Sequence, residues 1–330
     1  MKKILDALYR QHKLGYAEAH EILINITTGK YNHSQIASFL TVFMMRGISV
    51  EELTGFRDAL MELCLKVDFG NMETIDLCGT GGDEKNTFNI STLASFVVAG
   101  AGVKVAKHGN YGVSSVSGSS NVLEFLGYRF KSDQAQLQKE LEMTNICFMH
   151  APLFHPAMKT VAPIRRELGV KTFFNMLGPM VNPSSPKNQM VGVFSLELAR
   201  VYHYIYQQSD KNYSVVFGLD GYDECSLTCD TKVLGNKGES IIEPTDFGFK
   251  KIRAESIYGG DSVEASAKIF LAILDGKGTA EQENVVIANA ALALQCALNE
   301  PLAESVVRAK ASLQSKKAFQ MFNSLIKLQQ

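Results

Sequence analysis

The sequence predicts an α/β protein with a small helical N-terminal domain and a large α/β domain built on a mostly parallel central sheet. Up to about residue 65, apolar residues recur near a 3.6-residue period, which indicates helices. From Thr74 onward, short apolar runs are closed by glycine-rich turns and followed by helical patterns, which is typical of a parallel sheet. A chain of 330 residues with 46% hydrophobic content is long enough for about two domains.

The N-terminal block is predicted to be helical throughout. Its apolar positions at helical spacing are Leu5, Leu8, Ile22, Leu23, Ile26, Ile36, Phe39, Leu40 and Phe43. Segments 29–32 and 47–49 interrupt the pattern and should separate helices. Ser49, followed three residues later by Glu52, predicts a capping box for a helix that runs to about Leu63.

The rest of the chain alternates strands with helices. The predicted strands are 75–78, 103–106, 147–149, 190–194 and 215–217, and the clearest helices are 262–274, 280–297 and a third that closes the chain. Ligands of such sheets bind at the carboxyl ends of the strands. We therefore expect the functional residues in the turns that follow the strands.

Composition limits the possible partners and compartments. The chain has 33 basic and 34 acidic residues, so no global field attracts nucleic acid or an anionic membrane surface. Neither a signal-like N-terminus nor a run of 18 apolar residues is seen, and the six cysteines form no CxxC pair. These features predict a cytoplasmic protein with free thiols and without a nucleic-acid or membrane partner.

The most informative segment is 79–92, GTGGDEKNTFNIST, which follows a predicted strand and opens into a helix. Glycines let backbone N–H groups face a ligand, and Ser91 and Thr92 place hydroxyls at a helix N-terminus, where the dipole favours anions. The segment is neither a Walker A loop nor GxGxxG, because Glu84 stands where the third glycine would be. An anion cradle is the favoured interpretation, and a tight strand-to-helix turn is the alternative.

A second glycine- and serine-rich segment, 107–124, follows the next predicted strand. It begins with Lys107, and two hydroxyl-rich turns at neighbouring strand ends can converge on one polyphosphate with a lysine as the point charge. A solvated serine-rich loop is the alternative. His108 is either a general base or, more commonly for a histidine beside glycine, a hydrogen-bonded turn residue.

Residues 79–124 together resemble the signature of the anthranilate phosphoribosyltransferase family. The resemblance continues through APLFHPAM at 151–158, VAPIRRELG at 161–169, FNMLGP at 174–179 and GYDE at 221–224. It implies a nucleoside-phosphorylase-like transferase fold, with a helical domain at 1–70 that includes a segment near 160–185, an α/β domain at 71–330 and a cleft between them. It also implies transfer of phosphoribosyl from phosphoribosyl pyrophosphate to the amine of anthranilate, with release of pyrophosphate, in tryptophan biosynthesis.

The resemblance assigns substrate contacts to individual residues. Those for phosphoribosyl pyrophosphate are Gly79, Gly82, Asp83, Thr87, Asn89, Ile90, Ser91, Thr92, Lys107, His108, Gly109, Asn110, Ser114, Ser115 and Ser119. Those for anthranilate are Gly79, Asn110 and Arg165, with His155 and Pro156 lining the acceptor channel. A guanidinium fork suits a carboxylate, although an exposed salt-bridging face would also explain Arg165.

The resemblance further implies a magnesium enzyme. Ser91, Asp223 and Glu224 would hold two Mg²⁺ ions, and Lys107, Asp223 and Glu224 would be the catalytic residues. Mg²⁺ prefers a few carboxylates together with water and phosphate oxygens. For an isolated Asp-Glu pair, two solvated carboxylates would be the simpler interpretation.

The chain departs from the family pattern in the two turns. Tyr111 stands where arginine is common, Val116 where lysine is common, Ser120-Asn121 where Ala-Asp is usual, and Glu84 where glycine is common. These changes remove up to two positive charges from the second turn and should stiffen the first. They bear on donor affinity and on the conformation of the loop.

Two other functions and one assembly remain open from the sequence. A fold relative that binds nucleic acid or another partner should show a basic stripe, whereas a pyrimidine nucleoside phosphorylase would share the fold and a KHG-type segment. The family resemblance also implies a homodimer formed through the helical domain, with apolar faces around Phe39, Phe43 and Met44. Burial of these three residues within one subunit is the alternative.

Overall fold

The computed structural model describes residues 1–112 and 116–329, and the chain divides into two compact units. The first unit comprises Met1–Val67 and Ala151–Ser185, and the second comprises Asp68–His150 and Pro186–Gln330. The second stretch of the helical unit thus begins earlier than residue 160. The predicted fold class, a small helical domain plus a larger α/β domain with a mostly parallel sheet, is confirmed.

The elements are numbered in chain order within the described residues. The helices are α1 Lys2–Tyr9, α2 Tyr16–Thr27, α3 His33–Arg46, α4 Val50–Leu63, α5 Ile90–Gly100, α6 Ser119–Phe125, α7 Gln134–Thr144, α8 Ala151–Phe154, α9 Met158–Leu168, α10 Phe174–Leu177, α11 Leu196–Gln207, α12 Val263–Leu274, α13 Ala280–Leu298, α14 Leu302–Gln314 and α15 Lys317–Lys327. The strands are β1 Ile75–Gly79, β2 Val105–Gly109, β3 Ile146–His150, β4 Asn188–Gly192, β5 Asn212–Gly218, β6 Thr231–Gly235 and β7 Gly238–Ile242. None of the helices described is long and apolar enough to cross a membrane.

The helical unit is organised around an aromatic cluster of Phe39, Phe43, Phe56 and Phe173. Phe56 and Phe173 stack with ring centroids 4.4 Å apart, and Phe39 meets Phe43 edge-on at 4.9 Å. Phe39 and Phe43 are therefore 0% and 5% exposed, so the prediction that they form an external apolar face is wrong. They share the inward stripe of α3, whereas Met44 lies on the other face and is 43% exposed.

A buried ion pair fixes the turn between α3 and α4. Ser49 caps α4 by accepting the Glu52 N–H at 3.2 Å, and the Glu52 carboxylate accepts the Ser49 N–H at 2.9 Å, which confirms the predicted capping box. The same carboxylate accepts the Leu14 N–H at 2.8 Å and both Arg46 amino groups at 2.6 and 3.1 Å. Burial alone would raise the pKa of Glu52, but these donors outweigh it and lower the pKa.

Replacing Glu52 by glutamine is expected to destabilise the protein by about 3–5 kcal/mol, because Arg46 is left without its anion inside the unit. A carboxylate with a lowered folded pKa stabilises above its unfolded pKa and loses that effect as pH falls through the folded value. The difference between wild type and Glu52→Gln in urea unfolding should thus shrink in acid. Glu51→Gln, on the exposed side of α4, is the control. Equal urea-unfolding midpoints for the two variants would contradict the expectation.

The α/β unit contains one seven-stranded sheet in the order β3-β2-β1-β4-β5-β6-β7. Strands β1 to β5 pair in parallel, whereas β6 and β7 pair antiparallel and form a hairpin at one edge. The order reverses between β1 and β4, because β2 and β3 extend to one side and β5 to the other. Such a switch point is where open α/β sheets bind ligands.

Candidate active site

The carboxyl ends of β1 and β4 meet at the switch point, and the segment after β5 returns over them. A Cβ on Gly79, at the end of β1, would collide with the Asp223 carboxylate. A Cβ on Gly192, at the end of β4, would collide with the Asp223 backbone carbonyl. Glycine at both strand ends therefore lets Asp223 lie directly on this edge of the sheet.

The glycine loop after β1 bends sharply around Asp223. Gly81 and Gly82 have φ of +65° and +84°, and the Gly81 N–H donates to Asp223 Oδ2 at 2.8 Å. Glu84 also has a positive φ of +60°, a conformation that costs a non-glycine residue about 1–2 kcal/mol. Backbone strain at this position is compatible with a loop whose shape serves binding.

Three carboxyl groups lie close enough at this edge to influence one another. Burial, followed by the nearby Asp83 and Glu224 charges, holds the pKa of Asp223 well above its usual range. Burial also raises the pKa of Glu224, to about 7, although Lys107 opposes the shift. The pKa of Asp83 is raised, mainly by burial. Buried like charges of this kind are stabilised by a cation.

The residues present fit a magnesium site that is completed by substrate. Glu224 Oε1 accepts the Ser91 N–H at 3.2 Å, so the three predicted metal ligands come together around Asp223, Glu224 and the start of α5. Within residues 1–112 and 116–329, no three His, Cys, Asp or Glu side chains form a preassembled metal cage. Oxygen ligands at an open site suit Mg²⁺, which retains water and takes up phosphate oxygens.

The two serine- and glycine-rich turns contact each other, as the convergence hypothesis requires. Asn89, which precedes α5, donates from Nδ2 to the Ser117 carbonyl at 3.0 Å. This bond fixes the amide orientation, so Asn89 Oδ1 remains as an acceptor. Oδ1 is buried and has no hydrogen-bond partner among the described residues.

Ser117 is a candidate functional residue that sequence reasoning missed. The residue is 7% exposed, and its Oγ has no partner within the part of the chain that the structure describes. Thr80 Oγ1, in the glycine loop, is also buried and has no hydrogen-bond partner among the described residues. Because buried polar atoms are rarely left without partners, these hydroxyls are compatible with a polar ligand. The only signal in the sequence was their position inside the two turns.

The other residues predicted to contact phosphoribosyl pyrophosphate lie in or beside these two turns. Ser119 Oγ donates to the Asn110 carbonyl at 3.3 Å, and the His108 N–H donates to Asp76 Oδ1 at 3.1 Å. The side chains of Ile90 and Thr92 are buried in α5, whereas Thr87 forms a β-bridge with Tyr258. Ser114 and Ser115 lie outside the described residues.

Lys107 lies within β2 rather than in the turn after it. It is 2% exposed, and its Nζ donates to the Leu77 carbonyl of the neighbouring strand. Its charge nevertheless acts on Glu224, where it opposes the rise in pKa that burial causes. Direct contact between Lys107 and a phosphate stays a prediction.

Arg165 belongs to the helical unit, on α9. Its guanidinium lies 5.4 Å from the Phe174 ring centroid, and Nη2 donates to Asn175 Oδ1 at 3.2 Å. Burial lowers its pKa, and among the residues described no carboxylate forms an ion pair with it. Its neighbour Arg166 is exposed. A held, partly desolvated cation without an anion is suited to a ligand carboxylate.

His155 and Pro156, predicted to line an acceptor channel, differ in exposure. His155 is buried, and its Nε2 lies 2.9 Å from the Val181 carbonyl, which ties the two ends of the second stretch of the helical unit together. Pro156 is exposed. Their contact with an acceptor stays a prediction.

Comparison with known proteins identifies the family. Residues 2–64 match the helical bundle domain of a glycosyl transferase family, and residues 71–319 match the α/β domain of the same family. The anthranilate phosphoribosyltransferase of Christiangramia forsetii is 59% identical over 330 residues, covering 100% of both chains. That of Flavobacterium psychrophilum is 58% identical, covering 100% of this chain and 99% of the relative.

The chain belongs to the anthranilate phosphoribosyltransferase family.

Solved anthranilate phosphoribosyltransferase structures agree with this assignment. The Thermus thermophilus enzyme superimposes with a TM-score of 0.92 at 31% identity, covering 98% of each chain. The Saccharomyces cerevisiae enzyme in complex with phosphoribosyl pyrophosphate and Mg gives 0.89 at 27% identity, covering 96% of this chain and 93% of the yeast chain. The fold and the family expected from the sequence motifs are therefore confirmed.

Proposed function

We propose that the chain transfers the phosphoribosyl group of phosphoribosyl pyrophosphate to the amine of anthranilate and releases pyrophosphate, in tryptophan biosynthesis. The observation that carries this proposal is the Asn89–Ser117 contact, which joins the two turns at the strand ends beside the Asp223–Glu224 carboxylates. Full-length relatives that are 58–59% identical and named for this activity support it.

The donor is proposed to bind along the two turns. Backbone N–H groups of the glycine loop and the start of α5 are suited to the pyrophosphate, because the helix dipole favours anions there. Asn89 Oδ1 can only accept a hydrogen bond, so its partner is an O–H or N–H group rather than a phosphate oxygen. A ribose hydroxyl supplies that group. Ser117 Oγ and Thr80 Oγ1 are proposed as further donor contacts.

Ser91, Asp223 and Glu224 are proposed to hold Mg²⁺, with two ions expected. The bound metal would neutralise the charge that develops on the departing pyrophosphate. The protein's own contribution is positional, since Gly81 fixes Asp223 and Ser91 fixes Glu224 through backbone N–H bonds. Support for the metal comes from the yeast enzyme, whose structure contains phosphoribosyl pyrophosphate and Mg.

Arg165 is proposed to bind the anthranilate carboxylate, with Gly79 and Asn110 as further acceptor contacts. The yeast enzyme has been solved with 4-fluoroanthranilate, at 26% identity to this chain. In the reaction, the amine nitrogen forms a bond to C1 of the ribose while the C1–O bond to pyrophosphate breaks, and the amine then loses a proton. No covalent nucleophile is needed, so orientation and electrostatics account for the rate.

The assembly and the location stay proposals. A homodimer through the helical unit would use the exposed side of α1 and α3, where Tyr9, Ala37, Ser38, Thr41, Val42 and Met45 line an open cavity of about 290 Å³. Met45 is 84% exposed there. We propose a cytoplasmic location.

Loss of anthranilate fluorescence tests the activity directly. The purified chain should consume anthranilate only when phosphoribosyl pyrophosphate and Mg²⁺ are both supplied, and pyrophosphate should appear in equal amount. A parallel reaction with thymidine and inorganic phosphate tests a pyrimidine nucleoside phosphorylase. Turnover of thymidine without turnover of anthranilate would reject the proposed function.

A further inference from the structure

The second turn is closed at its base by residues 109–112 and 118–121, which we call the neck. The Asn121 side-chain oxygen accepts two backbone N–H groups, from Gly112 at 2.9 Å and from Gly118 at 3.0 Å. The Ser120 N–H donates to the Asn110 carbonyl at 3.2 Å. Both ends of the turn are thus joined by the side chain of Asn121, which lies in the first turn of α6.

Close packing shows that the neck has little room. A Cβ on Gly118 would collide with the backbone of Gly112, so the two segments of the neck are in direct contact. Ser120 Oγ lies 3.0 Å from His150 Nδ1, and the Tyr111 ring meets the His150 ring edge-on at 4.7 Å. These contacts place the neck beside His150 at the end of β3, and the Asn121 side chain joins its two sides.

Because residues 108–128 contain no lysine or arginine, the orientation of their N–H groups and hydroxyls is important for binding an anion. Between Lys107 and Arg129 the chain contains no lysine or arginine, so residues 108–128 can bind an anion only through N–H groups and hydroxyls. Dipoles stabilise a charge only when they are held in the right direction, because reorienting them costs what the contact gains. Gly109, Gly112 and Gly118 give the neck high backbone entropy in the absence of a brace.

We infer that Asn121 is a positioning residue for the phosphoribosyl pyrophosphate donor, because its carboxamide joins Gly112 to Gly118 and so fixes Asn110 and Ser119, which flank the turn. This inference rests on the proposed function. A helix cap would account for the bond to Gly118 but not for the bond to Gly112, nine residues back in the chain. Asn121 acts through the neck and need not touch the substrate.

Three variants test the inference in the full-length protein with Mg²⁺. Asn121→Ala removes both bonds, and Asn121→Asp retains an acceptor oxygen. Asn236→Ala is the matched control, because Asn236 also bridges two backbone groups, the Tyr213 N–H at 2.8 Å and the Lys211 carbonyl at 2.9 Å. Asn236 lies in the β6–β7 turn, beside the start of β5. It is therefore at the end of the sheet opposite the carboxyl ends of the parallel strands.

The affinity for phosphoribosyl pyrophosphate measured by calorimetry and the KM for this donor from steady-state kinetics should change in the same direction. Asn121→Ala is expected to weaken donor binding and to raise its KM by about tenfold, the equivalent of two ordinary hydrogen bonds, with a smaller change in kcat. Asn121→Asp should recover most of the affinity, and Asn236→Ala should match wild type. Melting temperatures of all three should stay close to wild type, since the neck is a local feature.

The outcomes that overturn the inference are distinct from failure of the proposed function. Wild type that binds no donor and consumes no anthranilate rejects the function itself. With an active wild type, an unchanged KM in Asn121→Ala rejects the positioning role. A fall in kcat without a change in donor affinity, no recovery in Asn121→Asp, or general unfolding of Asn121→Ala would also reject it.

Discussion

Turnover of Asp223→Asn is expected to fall by about 10²–10³-fold, comparable with the loss of one preorganised electrostatic contact at a reacting centre. Asparagine has nearly the same shape and still accepts the Gly81 N–H, so the loop should keep its conformation. What is lost is the charge that we propose holds Mg²⁺. Titrating activity against Mg²⁺ should show a weaker apparent affinity for the metal as well as a lower maximum rate.

Asp246→Asn is the matched control for this change. Asp246 also accepts one backbone N–H at 2.8 Å, from Glu243, but it lies on the exposed 3₁₀ turn after β7. Its replacement should leave the Mg²⁺ titration unchanged. If Asp223→Asn behaves like Asp246→Asn, Asp223 is not a metal ligand and the acidic edge must have another role.

The positions of β1 to β5 could be predicted because their signals are local. Each predicted apolar run overlaps one of these strands, although the predicted ends of β2 and β4 differ from the observed ends, and parallel strands must place their carboxyl ends on one side of the sheet. The β6–β7 hairpin was not predicted. Its residues, TKVLG and GESII, are short and partly exposed, and the Asn236-Lys237 turn is not a common two-residue hairpin sequence.

Side-chain direction was harder to predict than position. The sequence suggested that β2 ends at residue 106, which would leave Lys107 in the turn, but the strand runs to Gly109 and Lys107 becomes a buried strand residue. Phe39 and Phe43 show the same difficulty. Their spacing predicts one apolar stripe on α3, but only the structure shows that Phe56 and Phe173 cover it within the unit.

The Asn89–Ser117 contact lies beyond what sequence can give. Both residues stand in segments that the sequence singled out, but nothing in their spacing shows that one amide meets one carbonyl 28 residues away. The unpaired Ser117 hydroxyl appears only when burial and hydrogen bonding are known. Tertiary packing, not local preference, decides such contacts.

Arg165→Ala is expected to raise the KM for anthranilate by about 10–100-fold, because a charge-assisted hydrogen bond contributes about 1.5–3 kcal/mol. Phe174 and Asn175 already hold the guanidinium, so little ordering is needed when a carboxylate binds. Arg165→Lys keeps the charge but not the planar fork, so its KM for anthranilate should lie between those of wild type and Arg165→Ala. Steady-state kinetics with saturating donor gives the measurement.

A second acceptor separates recognition of the carboxylate from a general loss of activity. Wild type should favour anthranilate strongly over aniline, which has the amine but no carboxylate, and Arg165→Ala should lose most of that preference. Arg166→Ala, the exposed neighbour on the same helix, should retain it. Because the test compares two acceptors on one variant, damage to folding or to donor binding affects both alike. Equal preference in Arg165→Ala and Arg166→Ala would therefore assign the carboxylate to another residue.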